Sequence, residues 1–108
     1  MLREIDLPAR HLEKVRALLA EHVPEAEVWA FGSRVRGGCH ETSDLDLVLR
    51  NPASLDTPVP GRGRLLTALQ ESTIPIFVEV HDWAFLPPAY REEIEKDYAP
   101  FPIEAGSS

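Results

Sequence analysis

Cysteine is all but missing from these 108 residues: Cys39 stands alone. It cannot close an internal disulfide, and no Cys/His spacing suits zinc, so redox and zinc-centred readings fall away. Long apolar runs are missing too. Val28 to Phe31 and Ile74 to Val78 fall far short of the roughly 20 residues of a membrane span, and Met1-Leu2-Arg3-Glu4 begins no secretory signal. A soluble, cytoplasmic protein is expected. Basic residues are scarce, with 11 Lys and Arg against 18 Asp and Glu and a net charge of −7. Direct nucleic-acid binding is therefore not expected, since that affinity comes mostly from cations neutralising phosphates. Any phosphate bound here needs a local device or a metal ion. What is present is a 44% hydrophobic fraction, enough to fill one core without a staple. A single domain over residues 1–103 is expected, with 104–108 as a frayed tail.

From Pro8, the segment PARHLEKVRALLAEH sets Leu12, Val15, Leu18 and Leu19 on one side and Arg10, Glu13, Lys14 and Arg16 on the other, an amphipathic helix with Asp6 placed to cap it. Glu27 to Phe31 and Asp44 to Leu49 read as strands. Residues 51–61 hold three of the chain's prolines and form a loop. Leu65 to Leu69 suggest a short helix, Ile74 to Val80 a third strand, and Pro87-Pro88 the start of a charged helix, AYREEIEKDY, that ends at Pro100. Its alternating charges predict a solvated face. The pattern is that of a small mixed α/β or α+β fold.

The informative stretch is Phe31-Gly32-Ser33-Arg34-Val35-Arg36-Gly37-Gly38, followed by Ser43-Asp44-Leu45-Asp46-Leu47. A glycine and a serine at a strand end, leading into a helical turn, present backbone N–H groups and a hydroxyl to an anion, and Arg34 and Arg36 add positive charge. The same residues could simply cap and close a short helix. Asp44 and Asp46, two apart in a strand, share a face. Adjacent carboxylates repel, and a divalent cation between them explains the pair, although an exposed sheet face tolerates Asp-x-Asp as well. A third acid would complete a two-metal site. Glu79 alternates with Val78 and Val80 and so points to the open face with Asp44 and Asp46; Asp82 falls on the valine side, where turn formation explains it. Glu79 is favoured. His40 and His81 lie near the site, where either could contact phosphate or metal, although a lone histidine more often serves the surface or the packing. Arg62 and Arg64 could reach phosphate or an acidic partner, or be solvated. Trp83, Phe85 and Leu86 read as core or as partner interface.

Gly32-Ser33, ten residues, then Asp44-Leu45-Asp46 resembles the GS-x10-DxD signature of the DNA polymerase β-like nucleotidyltransferases. The short chain is similar to the minimal nucleotidyltransferases that pair with HEPN proteins in prokaryotic toxin–antitoxin operons, from Glu27 to about Tyr98. One departure is that Glu79 stands where that family usually has aspartate. The resemblance implies a small mixed sheet with helices packed on one face and the active site on the other. Gly32 and Ser33, with Arg34 and Arg36, would hold the triphosphate of ATP. Asp44, Asp46 and Glu79 would be the catalytic and metal-binding residues, with two magnesium ions and in-line displacement of pyrophosphate from the α-phosphorus. The implied activity is transfer of AMP to a hydroxyl, a tyrosine of a HEPN toxin, by an antitoxin. The alternative is an antitoxin that neutralises its HEPN partner by contact alone, its site weakened by Glu79. Modification of a small molecule is disfavoured, because no room remains for an acceptor domain. A chain this small leaves little protein to enclose base and acceptor, so a second subunit, from a partner or a homo-oligomer, is expected to complete the site.

Overall fold

The structure is a computed structural model that describes residues 5–36 and 43–101. Gly37, Gly38, Cys39 and His40 of the expected turn, the side chain of Arg36 and the tail 104–108 lie outside the described residues. The order along the chain is α1 (Ala9–His22), β1 (Glu27–Phe31), α2 (Ser33–Arg36), β2 (Leu45–Arg50), α3 (Arg62–Glu71), β3 (Val78–Asp82), a 3-10 turn (Trp83–Phe85), α4 (Pro88–Lys96) and β4 (Tyr98–Phe101). The strands form one mixed sheet in the order β3-β2-β1-β4. β1 is antiparallel to β2 and β4, and β2 is parallel to β3. Parallel neighbours need a crossover, which the segment containing α3 supplies.

Alternation along the strands divides the sheet into two faces. Leu45, Leu47 and Leu49 of β2 are fully buried with Val28, Ala30, Val78 and Val80, beneath Val15 and Leu19 of α1 and Leu65 of α3. The opposite residues, Trp29, Phe31 and Val48, form a second cluster with Trp83 and Ile94 of α4. Thus α1 and α3 cover one face, while α4 lies on the other. At the Arg50 end of that second face, the Arg50 guanidinium sits 3.8 Å from the Trp29 ring and 4.6 Å from the Trp83 ring, and it pairs with Glu27 at 2.6 Å. This end is closed by aromatic packing. The other end, where β2 begins, is where the polar residues collect.

Three local expectations are corrected. Asp6 does not cap α1: Pro8 holds the cap position without a side-chain bond. The third strand is displaced from 74–80 to 78–82, because β2 starts only at Leu45, which is the partner of Val78. The last helix stops at Lys96, and Tyr98–Phe101 pairs with β1 instead. There Phe101 is buried and Tyr98 stacks on Trp29 at 3.8 Å. Pro100 is tolerated because β4 is an edge strand.

Candidate active site

The start of β2 sends Leu45 and Leu47 under the helices and Asp46 to the opposite face. The parallel register sets Glu79 beside Asp46 and His81 beside Val48. Glu79 is exposed between the buried Val78 and Val80, so alternation carries through this strand. The consequence is a cluster in which one ligand atom each of Asp46, Glu79 and His81 lies within 4.8 Å of the others. Of the three carboxylates expected to share a metal, Asp46 and Glu79 are brought together. Asp44 is exposed, one residue ahead of β2, and outside that cluster.

Gly32 enters the same site through its missing side chain. Its φ is +83°, and a Cβ built there would fall 2.4 Å from Asp46 Oδ2. Both the backbone conformation and the close approach require glycine. Ser33 opens α2 directly after it, which sets the hydroxyl and the first backbone N–H groups of that helix at the end of β1, one residue on from the glycine. Arg34 is placed otherwise than a phosphate ligand. Only 4% exposed, it donates from Nε and Nη2 to the Ser43 carbonyl at 3.2 and 3.0 Å and from Nη1 to the Asp6 carbonyl at 2.8 Å. The Asp6 N–H returns a bond to the Arg34 carbonyl. Arg34 thus fastens the segment before α1 and the residue leading to Asp44 onto α2.

Helix α4 supplies a wall that sequence reasoning missed. Tyr90 is 40% exposed, and its ring meets Phe31 edge-on at 6.2 Å and lies 5.8 Å from His81. Burial pushes its hydroxyl pKa up, and the charges of Asp46 and Glu79 add to the effect. The only signal in the sequence is that Tyr90 and Ile94 are four apart, on one face of a helix whose charges suggest a solvated surface. Between β1 and α4 lies a cleft of about 280 Å³ lined by Phe31, Gly32, Asp46, Tyr90, Glu93, Ile94 and Asp97. A groove of about 670 Å³ runs on the other side, between α3 and β3, with Glu79 and His81 on its rim. The carboxylate cluster therefore stands between two depressions. The cleft is acidic, with three carboxylates in its lining, so a polyphosphate needs cations to enter.

Asp82 belongs to the scaffold. Buried at the end of β3, it accepts the Val59 N–H at 2.8 Å on Oδ2 and the Ala84 N–H at 3.2 Å on Oδ1. In Asp82→Asn an amide must face one of these donors. The variant should lose about 1–3 kcal/mol in urea denaturation, while the folded protein keeps its activity. Unchanged stability would remove this role. Arg62 likewise turns to protein, donating to the Val80 carbonyl at 3.0 Å. Of the apolar trio after β3, Trp83 is buried and Leu86 packs against the second cluster, whereas Phe85 is 70% exposed.

The geometry agrees with three comparisons. Residues 12–105 match the family model of the nucleotidyltransferase domain. Over 95 residues the chain is 40% identical to the probable protein adenylyltransferase MntA of Haemophilus influenzae, covering 88% of this chain and 82% of that protein. A crystal structure of a toxin–antitoxin with AMP-PNP superposes with a TM-score of 0.66 at 19% identity, over 88% of this chain and 73% of that one; at that identity the likeness is one of fold. No described helix is long and apolar enough to cross a membrane. A glycine-serine turn set against Asp46 at the start of β2, with Glu79 beside it on β3, in a chain matched over most of its length, has one consistent explanation: the protein is a member of the nucleotidyltransferase domain family.

Proposed function

We propose that the protein transfers AMP from ATP to a hydroxyl of a partner polypeptide, a tyrosine of a HEPN-type toxin, and so acts as its antitoxin in the cytoplasm. The observation that carries this reading is the close approach of Asp46 to Gly32, where a side chain on the glycine would meet Asp46 Oδ2; it supports a phosphate-binding turn and a metal-binding carboxylate meeting at one point. The relative named for protein adenylyl transfer supports the choice of group and acceptor class.

In this reading the Ser33 hydroxyl and the backbone N–H groups of the turn take the triphosphate at the cleft beside Tyr90, while Arg34 keeps the turn in place; Arg36, whose side chain lies outside the described residues, would add positive charge to the same turn. Asp44, Asp46 and Glu79 would hold two magnesium ions. These would neutralise the phosphates and lower the pKa of the attacking hydroxyl. The acceptor comes from the α3–β3 side, where Glu79 borders the groove. Its hydroxyl gives up a proton to solvent, its oxygen bonds to the α-phosphorus, the bond to the bridging oxygen breaks, and pyrophosphate leaves. A cleft of about 280 Å³ is below the usual range for small-molecule sites. A second subunit would therefore enclose the rest of the nucleotide.

Intact-mass spectrometry tests this. The protein, incubated with ATP, magnesium and the product of its neighbouring gene, should leave one or more adenylyl groups on that product, with loss of the adduct in EDTA. An unmodified product that is nevertheless held in a stable complex would establish the contact-only antitoxin instead. An adduct undiminished by EDTA would overturn the metal-dependent mechanism.

A further inference from the structure

The carboxylate cluster contains a nitrogen donor, His81. Resting on the nucleotidyltransferase reading, we infer that His81 is a direct ligand of the divalent cation and that it biases the site towards manganese over magnesium. Three observations lead there. First, His81 follows Glu79 by two residues in β3, on the same face, and its ring nitrogen lies within 4.8 Å of a ligand atom of both Asp46 and Glu79. Donors bound to one ion at about 2.1 Å stand about 3 to 4 Å from each other, so small rotamer adjustments bring the three onto one ion.

Second, the ring is held in place. Phe31 lies 5.7 Å from it and Tyr90 5.8 Å, one on β1 and one on α4. Third, its Nε2 is shut off from solvent and makes no hydrogen bond. Glu79 Oε1 is 3.7 Å away, beyond hydrogen-bond reach. A histidine serving only packing or the surface turns its nitrogens to water or to a carbonyl. Here a buried imidazole nitrogen stands beside the Glu79 carboxylate, in a cluster that includes Asp46, and has no hydrogen-bond partner among the described residues, which is the arrangement a cation would complete.

The ion follows from the donor set. Magnesium is a hard cation that takes oxygen ligands and keeps much of its water. Two carboxylates and one imidazole bind first-row transition ions more strongly, and among these manganese best suits the phosphate and carboxylate oxygens that share the site.

The test uses the full chain loaded with Mn²⁺. Electron spin echo modulation should show a nitrogen coupled to the manganese, and the coupling should change in protein labelled with ¹⁵N-histidine. His81→Gln should abolish it and weaken Mn²⁺ binding about tenfold or more, with a much smaller effect on Mg²⁺ measured by competition. Bound manganese with no histidine nitrogen in the unaltered protein would overturn the inference whatever the fate of the variant. If the protein still modifies its partner with magnesium in that case, the proposed activity stands and only the role of His81 falls. Failure of both ions to bind would overturn the two together.

Discussion

Asp46→Asn should lower nucleotide transfer about a hundredfold or more and leave the fold intact. The side chain lies on the face of β2 away from the buried leucines, so an isosteric amide disturbs none of the apolar packing beneath the helices. What changes is the charge. Glu79 is then the one carboxylate left in the cluster, and a cation held there would lose a charged ligand. Transfer to the co-expressed partner, read by intact mass, should vanish while thermal melting and complex formation stay close to the parent protein. An adduct of undiminished yield in the variant would refute the role assigned to Asp46.

Gly32→Ala attacks the same carboxylate from the other side. The left-handed backbone at φ +83° costs an alanine about 1–2 kcal/mol. The added methyl would also stand 2.4 Å from Asp46 Oδ2, so the carboxylate must move before the backbone can keep its place. The variant should therefore be less stable by at least the backbone term and should lose metal affinity and transfer as well. Gly63→Ala is the control, because a Cβ there meets nothing within 4 Å. Inside α3 it should raise stability by about 0.5–1 kcal/mol. Metal binding by Gly32→Ala equal to that of the parent would show that Asp46 is free to rotate out of the way, and that the glycine serves the backbone alone.

The sequence made the carboxylate pairing legible because it depends on strand alternation. Asp46 between leucines and Glu79 between valines each point away from the core, and a parallel register does the rest. Arg34 was not legible. An arginine in a glycine-rich turn of an acidic chain suits a phosphate, and only the tertiary placement of Asp6 and Ser43 reveals two backbone carbonyls to satisfy instead. Tyr90 was hidden for a related reason, since its meaning depends on α4 crossing the site face, whereas His81, two residues after Glu79 in the same strand, was legible as a neighbour of the site. The fourth strand was obscured by the charges before it and the proline within it. What reveals it is the unpaired edge of β1, a long-range fact that no local window contains. Asp44 shows the opposite limit: the two-residue spacing from Asp46 is as expected, yet β2 begins after it, and alternation constrains only residues that are in the ladder.

Helix α4 is nine residues long and buries one side chain completely, Ile94, with a further tie from Arg91 Nε to the Trp83 carbonyl. A helix of that length is marginal by itself, so its persistence depends on those few attachments, whereas β2 is locked between two neighbours. The free energy of detaching α4 locally is accordingly much smaller than that of global unfolding. Because Tyr90, Glu93 and Asp97 line the cleft from this side, the mouth of the site is bounded by the least firmly anchored helix and its floor by the most firmly anchored strand. Local opening of that one helix would widen the cleft while the strand that carries Asp46 stays paired on both sides.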